Sequence, residues 1–485
     1  GVDAGGNVQT GNMNIGIGYN AFHNAATGDN NIAIGVSAMD AATSAYDNVA
    51  IGRDAMGTGT VTGYHNIAIG KSAGLSMADG YNHILLGPTA GDALTGGRNN
   101  VALGQHALGA STTNVGCIAI GSATMQAINS TDADYTVGIG NECMVSLTDG
   151  QYNVAIGHQA GYALTTSNQN VALGYRALAE HVGGGSNIAI GSDAMDQTAG
   201  TNAATSAYNI AIGRDALGGD WADATSDKNI AIGVFAMDAV MNDANSNIGI
   251  GYNSLGALTS GDQNIAIGTD ALKSVSAGHN NVAIGYEAGD GLTGSDNVAL
   301  GRGALGDASA DVDLAVAIGY NALALADSNQ DDGAVAIGAY ALDAMNCGDS
   351  NGNTAVGYQA GTEITTGRAN TILGRQALVV ATTSSGSVCI GKDAGGTIST
   401  GNQNIAVGTG AMQGGTVVAD NNIAIGTDAL DAITSGPDNI AIGENSQGAN
   451  STGYNNVSVG SNSLPALTSG TSNVAIGKNT MVAAD

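Results

Sequence analysis

One five-residue motif recurs along the whole chain. Asn-(Ile/Val)-Ala-(Ile/Leu)-Gly, with small variations, occurs 27 times, and its closing glycines run from Gly18 to Gly477. Sixteen of the 26 intervals between successive motif glycines are 17 residues, and the others are 16 to 22. A fixed period over a whole chain indicates one supersecondary unit stacked on itself. The sequence therefore predicts an all-β, parallel β-solenoid of about 27 coils, a single continuous domain over residues 1–485 with regular coils from 11 to 481.

The motif itself predicts a short strand with two apolar faces. Side chains alternate along a strand, so Ile265 and Ile267 lie on one face and Ala266 on the other. No Asp, Glu, Lys or Arg enters the motif in any of the 27 copies, a pattern typical of a strand buried on both sides. Three or four medium apolar side chains per coil return less than the ordering of 17 residues costs. We therefore expect other copies of the chain to cover the outer face.

Other columns of the repeat predict the corners of the coil. Ala, followed by Leu or Met, comes three residues after most motif glycines and predicts a short second strand after a tight bend. Glycine recurs ten residues after the motif glycine, as at Gly261 and Gly278, where we expect positive φ to close the coil. Asn opens 21 of the 27 motifs. Stacked at one corner, these amides predict a hydrogen-bonded ladder, with members that include Asn264, Asn281, Asn404, Asn422 and Asn439.

The overall charge excludes several classes of partner. The formal charge of −29 comes from 41 acidic and 12 basic residues, so nucleic acids and anionic membranes are repelled. No apolar run is long enough to predict membrane insertion. The four cysteines occupy different columns and form no Cys-x-x-Cys pair, which argues against a disulfide framework or a zinc site. Cys143 and Cys389 stand where Ala is usual and are predicted to be buried thiols.

Two longer phrases carry a family resemblance. Asn-Ile-Ala-Ile-Gly-x-(Asp/Asn)-Ala-Leu at 264–272 and Thr-Ser-Gly-x-x-Asn-Val-Ala-Ile-Gly at 468–477 resemble the repeats of bacteriophage tail fibres and the head repeats of trimeric autotransporter adhesins. The resemblance covers residues 11–481. It implies a left-handed β-roll, three chains around a common axis with the motif strands facing the trimer interior, and an extracellular place on a virion tail fibre or cell surface.

The function expected from these features is structural and not enzymatic. The seven histidines lie in different columns, and no nucleophile, zinc or phosphate-binding motif is found. We expect the shaft of a homotrimeric fibre or adhesin that mediates attachment to a cell-surface glycan or receptor. Two alternatives stay open: a solenoid subunit that polymerises end to end into an extracellular filament, and a rod that binds carbohydrate.

Three sets of residues are candidate ligand contacts. No cofactor is expected, and the recurring acids are interpreted as solvated turn residues. Structural calcium is the alternative, because Asp recurs two residues after the motif glycine and hard cations prefer clustered oxygens. Tyr directly after the motif glycine could stack on sugar rings. The longest coils carry the sole tryptophan, so 196–227 is predicted to form a recognition bulge. The calcium candidates are Asp54, Asp193, Asp215, Asp270, Asp393 and Asp428, and the binding candidates are Trp221, Tyr252, Tyr286 and Tyr320.

Overall fold

The repeat folds as stacked coils, each carrying one three-residue strand. The computed structural model describes residues 2–7, 10–24, 27–128, 133–198, 203–222, 224–306, 311–326, 333–345 and 352–482. Two compact units, residues 1–246 and 247–485, are built from the same coil. The prediction of an all-β parallel solenoid with a period of about 17 residues is confirmed. That residues 1–485 form one continuous domain stays a prediction.

The described residues of the first unit form thirteen strands. They are β1 (Ile15–Ile17), β2 (Ile32–Ile34), β3 (Val49–Ile51), β4 (Ile67–Ile69), β5 (Ile84–Leu86), β6 (Val101–Leu103), β7 (Ile118–Ile120), β8 (Val137–Ile139), β9 (Val154–Ile156), β10 (Val171–Leu173), β11 (Ile188–Ile190), β12 (Ile210–Ile212) and β13 (Ile230–Ile232). A 3-10 turn, Ala203–Thr205, lies between β11 and β12. Across the described ranges, no helix is both long and apolar enough to cross a bilayer.

Fourteen strands lie in the part of the second unit that the structure describes. They are β14 (Ile248–Ile250), β15 (Ile265–Ile267), β16 (Val282–Ile284), β17 (Val298–Leu300), β18 (Val316–Ile318), β19 (Val335–Ile337), β20 (Thr354–Val356), β21 (Thr371–Leu373), β22 (Val388–Ile390), β23 (Ile405–Val407), β24 (Ile423–Ile425), β25 (Ile440–Ile442), β26 (Val457–Val459) and β27 (Val474–Ile476).

Within each unit, successive strands pair in parallel and in exact register. Ala266 of β15 pairs with Ala283 of β16, and the flanking aliphatic residues pair in the same way. The register survives the 22-residue interval between the motif glycines of β11 and β12, where Ile188 still pairs with Ile210. Extra residues are therefore absorbed in the turns, because a slip of one residue would exchange the two faces of a strand.

The interior of the coil is narrow and holds mainly small side chains. In the coil of β15, Ala266, Ala271, Leu272 and Val275 are fully buried. Where the inward residue of a strand is large, glycine stands beside it: a Cβ on Gly91 would lie 2.9 Å from Leu85 Cδ2, and one on Gly361 would lie 2.8 Å from Ile372 Cδ1. A larger inward side chain is thus matched by the absence of a side chain next to it, so the interior of each coil stays closely packed.

The described cysteines belong to this interior. Cys117, Cys143 and Cys389 are free and buried, and burial raises the pKa of each thiol to about 12. They are therefore protonated, small apolar groups rather than reactive thiolates. Cys347 lies outside the described residues.

Two sequence expectations about the corners are wrong. The segment after the motif glycine is turn and not a second strand, because alternate residues have positive φ, as at Asp270 (53°) and Leu272 (48°). Their amides still bond to neighbouring coils, Asp270 N donating to Tyr252 O (2.9 Å) and Leu272 N to Ala288 O (3.0 Å). These bonds offset the cost of left-handed backbone in non-glycine residues.

The glycines ten residues after the motif glycine also differ from the prediction. Gly261 and Gly278 do not have positive φ. A Cβ on either would instead collide with a carbonyl oxygen of the next coil, that of Gly278 or Gly294 respectively. Close approach of the backbone, and not left-handed geometry, requires glycine in this column.

Substitution of a motif glycine tests this stacking. Gly268 has a φ of +143°, and a Cβ there would collide with the carbonyl oxygen of Gly285. We expect Gly268→Ala to lower the free energy of unfolding by about 2 kcal/mol or more, from backbone strain plus the clash. Urea unfolding measures the loss, with Thr269→Ala as the neighbouring control. An unchanged midpoint for Gly268→Ala would contradict the tight stacking of coils.

Candidate functional site

The strands present a long apolar surface on the outside of the coils. We call this surface the apolar face: the residues three and one before each motif glycine. Of these 54 positions, 52 are Ile, Val or Leu, two are Thr, and none is charged. Their side chains are partly exposed, for example 37% at Ile267, 42% at Ile284 and 48% at Leu373. An extended apolar surface of this kind marks an interaction site in a soluble protein.

The fold decides which strand face is turned outward. Ala266 points into the coil and is fully buried, whereas Ile265 and Ile267 point away from it. The narrow interior admits alanine but has no room for two isoleucines per strand. The larger aliphatic side chains are therefore left on the surface of the single chain.

The opening asparagines form a buried hydrogen-bonded column on the inner side of the corner. Asn281 donates from both its backbone N and its Nδ2 to Asn264 Oδ1 (3.0 Å each), and Nδ2 also donates to Gly294 O (2.9 Å). In a later part of the second unit, Asn422 N donates to Asn404 Oδ1 and Asn439 N to Asn422 Oδ1, both at 3.0 Å. These amides are buried and satisfied by their own chain, which suits a structural role.

The calcium candidates lie in one column but do not converge. Asp193 accepts a hydrogen bond from Ser192 (2.6 Å), and Asp270 accepts one from Asn253 (2.7 Å). Asp215 pairs with Arg214 Nε at 3.2 Å and Asp393 with Lys392 Nζ at 3.2 Å. In the part of the chain that the structure describes, no group of three or more His, Cys, Asp or Glu is placed to hold a metal ion.

Two of the three candidate tyrosines are brought together by an arginine. Tyr252, Tyr286 and Tyr320 are each 39–51% exposed. The Arg302 guanidinium lies 5.5 Å from the Tyr286 ring centroid and 5.7 Å from that of Tyr320. Sequence reasoning singled out the tyrosines and missed Arg302. The signal was present, since Arg302 occupies the same column in the coil between them.

Trp221 does not lie on an exposed bulge. Its side chain is 2% exposed, and Nε1 donates to Leu217 O at 3.2 Å. A ring held in this way packs the interior of a long coil and is not offered to a ligand, so its assignment as a binding residue is corrected. Residues 199–202 and 223 of the predicted bulge lie outside the described residues.

Two contacts between a histidine and a hydroxyl lack the features of a nucleophile and its base. Thr89 Oγ1 lies 2.8 Å from His106 Nδ1, but it already donates to Pro88 O at 2.7 Å. His181 Nδ1 lies 3.1 Å from Thr198 Oγ1, and both residues are fully buried. Burial lowers the pKa of His181 to about 4, so this imidazole is neutral and inaccessible at neutral pH.

Comparison with known proteins assigns no family. Neither a scan against protein-family models nor a comparison with curated proteins finds a match to this chain.

Two buried carboxyl groups of the first unit, those of Asp196 and Asp238, have strongly raised pKa values. Burial, followed by the nearby Asp193 carboxylate, raises the pKa of Asp196 to about 7, although Arg176 Nη2 lies 3.5 Å from Asp196 Oδ2. Asp196 Oδ1 is buried and receives no hydrogen bond. Burial and the Asp215 carboxylate likewise raise the pKa of Asp238 to about 6. The native state therefore holds these protons over a range in which an unfolded chain has released them.

A pH series on one variant tests this assignment. Because the native pKa of Asp196 exceeds the unfolded value, its contribution to stability is greatest below about pH 4 and is lost as the pH rises towards 7. We expect Asp196→Asn to raise the urea midpoint relative to wild type near pH 8, and the difference to shrink near pH 4. Asp54→Asn, in an ordinary coil, serves as control. A variant more destabilised at pH 8 than at pH 4 would contradict the assignment.

Proposed function

We propose that this chain is a structural protein, the repeat-built shaft of a homotrimeric fibre that mediates attachment at a virion or cell surface. The apolar face carries the proposal. It combines 52 aliphatic positions with no charge in a protein of net charge −29, and much of it is exposed on a single chain. Selection of two aliphatic residues in nearly every coil is explained if sister chains cover this surface.

The arrangement suits a mechanical role. Each interior coil is hydrogen bonded to the coils before and after it, as Ile265 N to Asn281 O (2.8 Å) and Gly268 N to Ile250 O (2.8 Å) show for the coil of β15. A load along such a stack is shared by many parallel backbone bonds. Chains that meet along their apolar faces also remove a surface that would otherwise aggregate without order.

The number of chains and the location belong to the proposal and come from the resemblance to tail-fibre and adhesin repeats. In that arrangement three left-handed solenoids lie side by side with their apolar faces inward, on the outside of a virion or cell. The acidic outer turns then keep the assembled fibre soluble and disfavour contact with nucleic acids and anionic membranes. The proposed role requires no cofactor and no chemical reaction.

Mass in solution tests the assembly. We expect one discrete species with three times the chain mass of 47.3 kDa. An open-ended series of masses would favour the end-to-end filament instead. A folded monomer at micromolar concentration would overturn the proposal, since the apolar face would then have no partner.

A pair of charge substitutions tests which surface assembles the chains. Ile267→Lys with Ile284→Lys places two ammonium groups per chain on the apolar face, and burying each without a partner costs several kcal/mol. We expect a clear fall in the temperature at which the oligomer dissociates. The control, Ser276→Lys with Thr293→Lys, adds the same charge to the same coils at exposed turn positions. Equal effects in both double variants would exclude the apolar face as the interface.

A further inference from the structure

One coil of the second unit has a gap in its outer surface. The coil that starts at Gly301 is the only one of the 27 with glycine at both the second and the fifth position after its motif glycine, at Gly303 and Gly306. The preceding coil has Glu287 and Asp290 at these positions. The missing side chains leave a cavity of about 260 Å³, which we call the notch. It lies among turn residues and outside the apolar face.

One side of the notch is aromatic and rigidly held. Tyr320 and Arg302 line it, and the Arg302 guanidinium is stacked 5.7 Å from the Tyr320 ring centroid and 5.5 Å from that of Tyr286. Tyr286 is tied in turn to Glu287 by a hydrogen bond, which raises the pKa of Tyr286. Stacking on two rings limits the freedom of the guanidinium, so its donors are positioned before any ligand arrives.

The other side of the notch supplies polar groups of both kinds. Glu287 and Asn321 line it together with Asp290. Asp290 Oδ1 is buried and receives no hydrogen bond; the nearest cation, Lys273 Nζ, lies 3.6 Å away. The carboxylates of Glu287 and Asp290 are hydrogen-bond acceptors, and the Asn321 amide both donates and accepts.

We propose that the notch binds a single pyranose ring of a neutral glycan. Tyr320 offers an apolar ring to the C–H face of a sugar, while Arg302, Asn321 and the carboxylates offer donors and acceptors to its hydroxyls. Pockets that hold drug-sized ligands have volumes of about 300–1,000 Å³. The notch, at about 260 Å³, is smaller than these pockets and suits one sugar ring. An anionic phosphate fits poorly, because two carboxylates face one arginine. Tyr252 does not line the notch.

Filling the notch tests the site, because a Cβ at position 303 would lie 2.5 Å from Asn321 Oδ1 and would displace that side chain from the notch. Gly303→Asn installs the residue found at the same position in six other coils, as at Asn253 and Asn321, where it also has positive φ. The matched control is Gly410→Asn, the other glycine of that column. Tyr320→Ala removes the aromatic wall. The probes are the methyl glycosides of D-glucose, D-galactose, D-mannose and N-acetyl-D-glucosamine, measured on the full chain by saturation-transfer NMR and titration.

We expect wild type and Gly410→Asn to bind at least one of the four glycosides, and Gly303→Asn and Tyr320→Ala to bind it at least tenfold more weakly. Absence of binding by wild type to all four, or undiminished binding by Gly303→Asn, would overturn the proposal. The mass of each variant is recorded alongside. Because the notch lies within one chain, the two proposals can fail separately. A monomer that binds a glycoside would overturn the proposed fibre and support the proposed sugar site. A trimer that binds none of the glycosides would support the fibre and overturn the sugar site.

Discussion

Direct stacking of backbone on backbone is the constraint on which the rest of this structure depends. Within each unit, a motif glycine approaches the next motif glycine so closely that a methyl group would strike its carbonyl oxygen, as at Gly268 and Gly285. The adjoining amides donate hydrogen bonds to the coils before and after. Such contact is possible only without a side chain and with φ near +140°. This glycine therefore recurs in all 27 motifs because the contact between stacked coils requires it.

Tight coils leave little interior, and the distribution of side chains follows from that. Alanine fills the inner side of nearly every strand, buried asparagine satisfies the corner, and glycine appears beside the few large inward residues such as Leu85 and Ile372. Isoleucine, valine and leucine are displaced to the outer surface, where they form a double row within each unit. A coil of small cross-section thus has two consequences: its interior admits mainly small side chains, and its larger aliphatic side chains are left outside, where we propose that sister chains cover them.

Variation between coils is confined to the turns, which is where individual properties arise. Added residues between β11 and β12 leave the register intact, and Trp221 is buried in the coil that follows β12. Loss of two side chains at Gly303 and Gly306 opens the notch beside a stacked Tyr286–Arg302–Tyr320 column. Burial, together with the nearby Asp193 carboxylate, raises the pKa of Asp196 to about 7. The repeat supplies the scaffold, and the turns supply the chemistry.

The sequence alone determined the period, the parallel strand formed by each motif and its alternation of alanine with larger aliphatic residues, because a 17-residue spacing and a two-residue spacing are properties of the chain itself. Only the tertiary structure decided which strand face is inside, since that depends on the space left between stacked coils. It also decided that the corners are left-handed turns rather than strands, that Gly261 avoids a carbonyl, that Trp221 is core, and that Arg302 joins two tyrosines. The contacts of Gly261 and Arg302 join residues of adjacent coils, about 17 positions apart in the sequence, and no local propensity encodes such contacts.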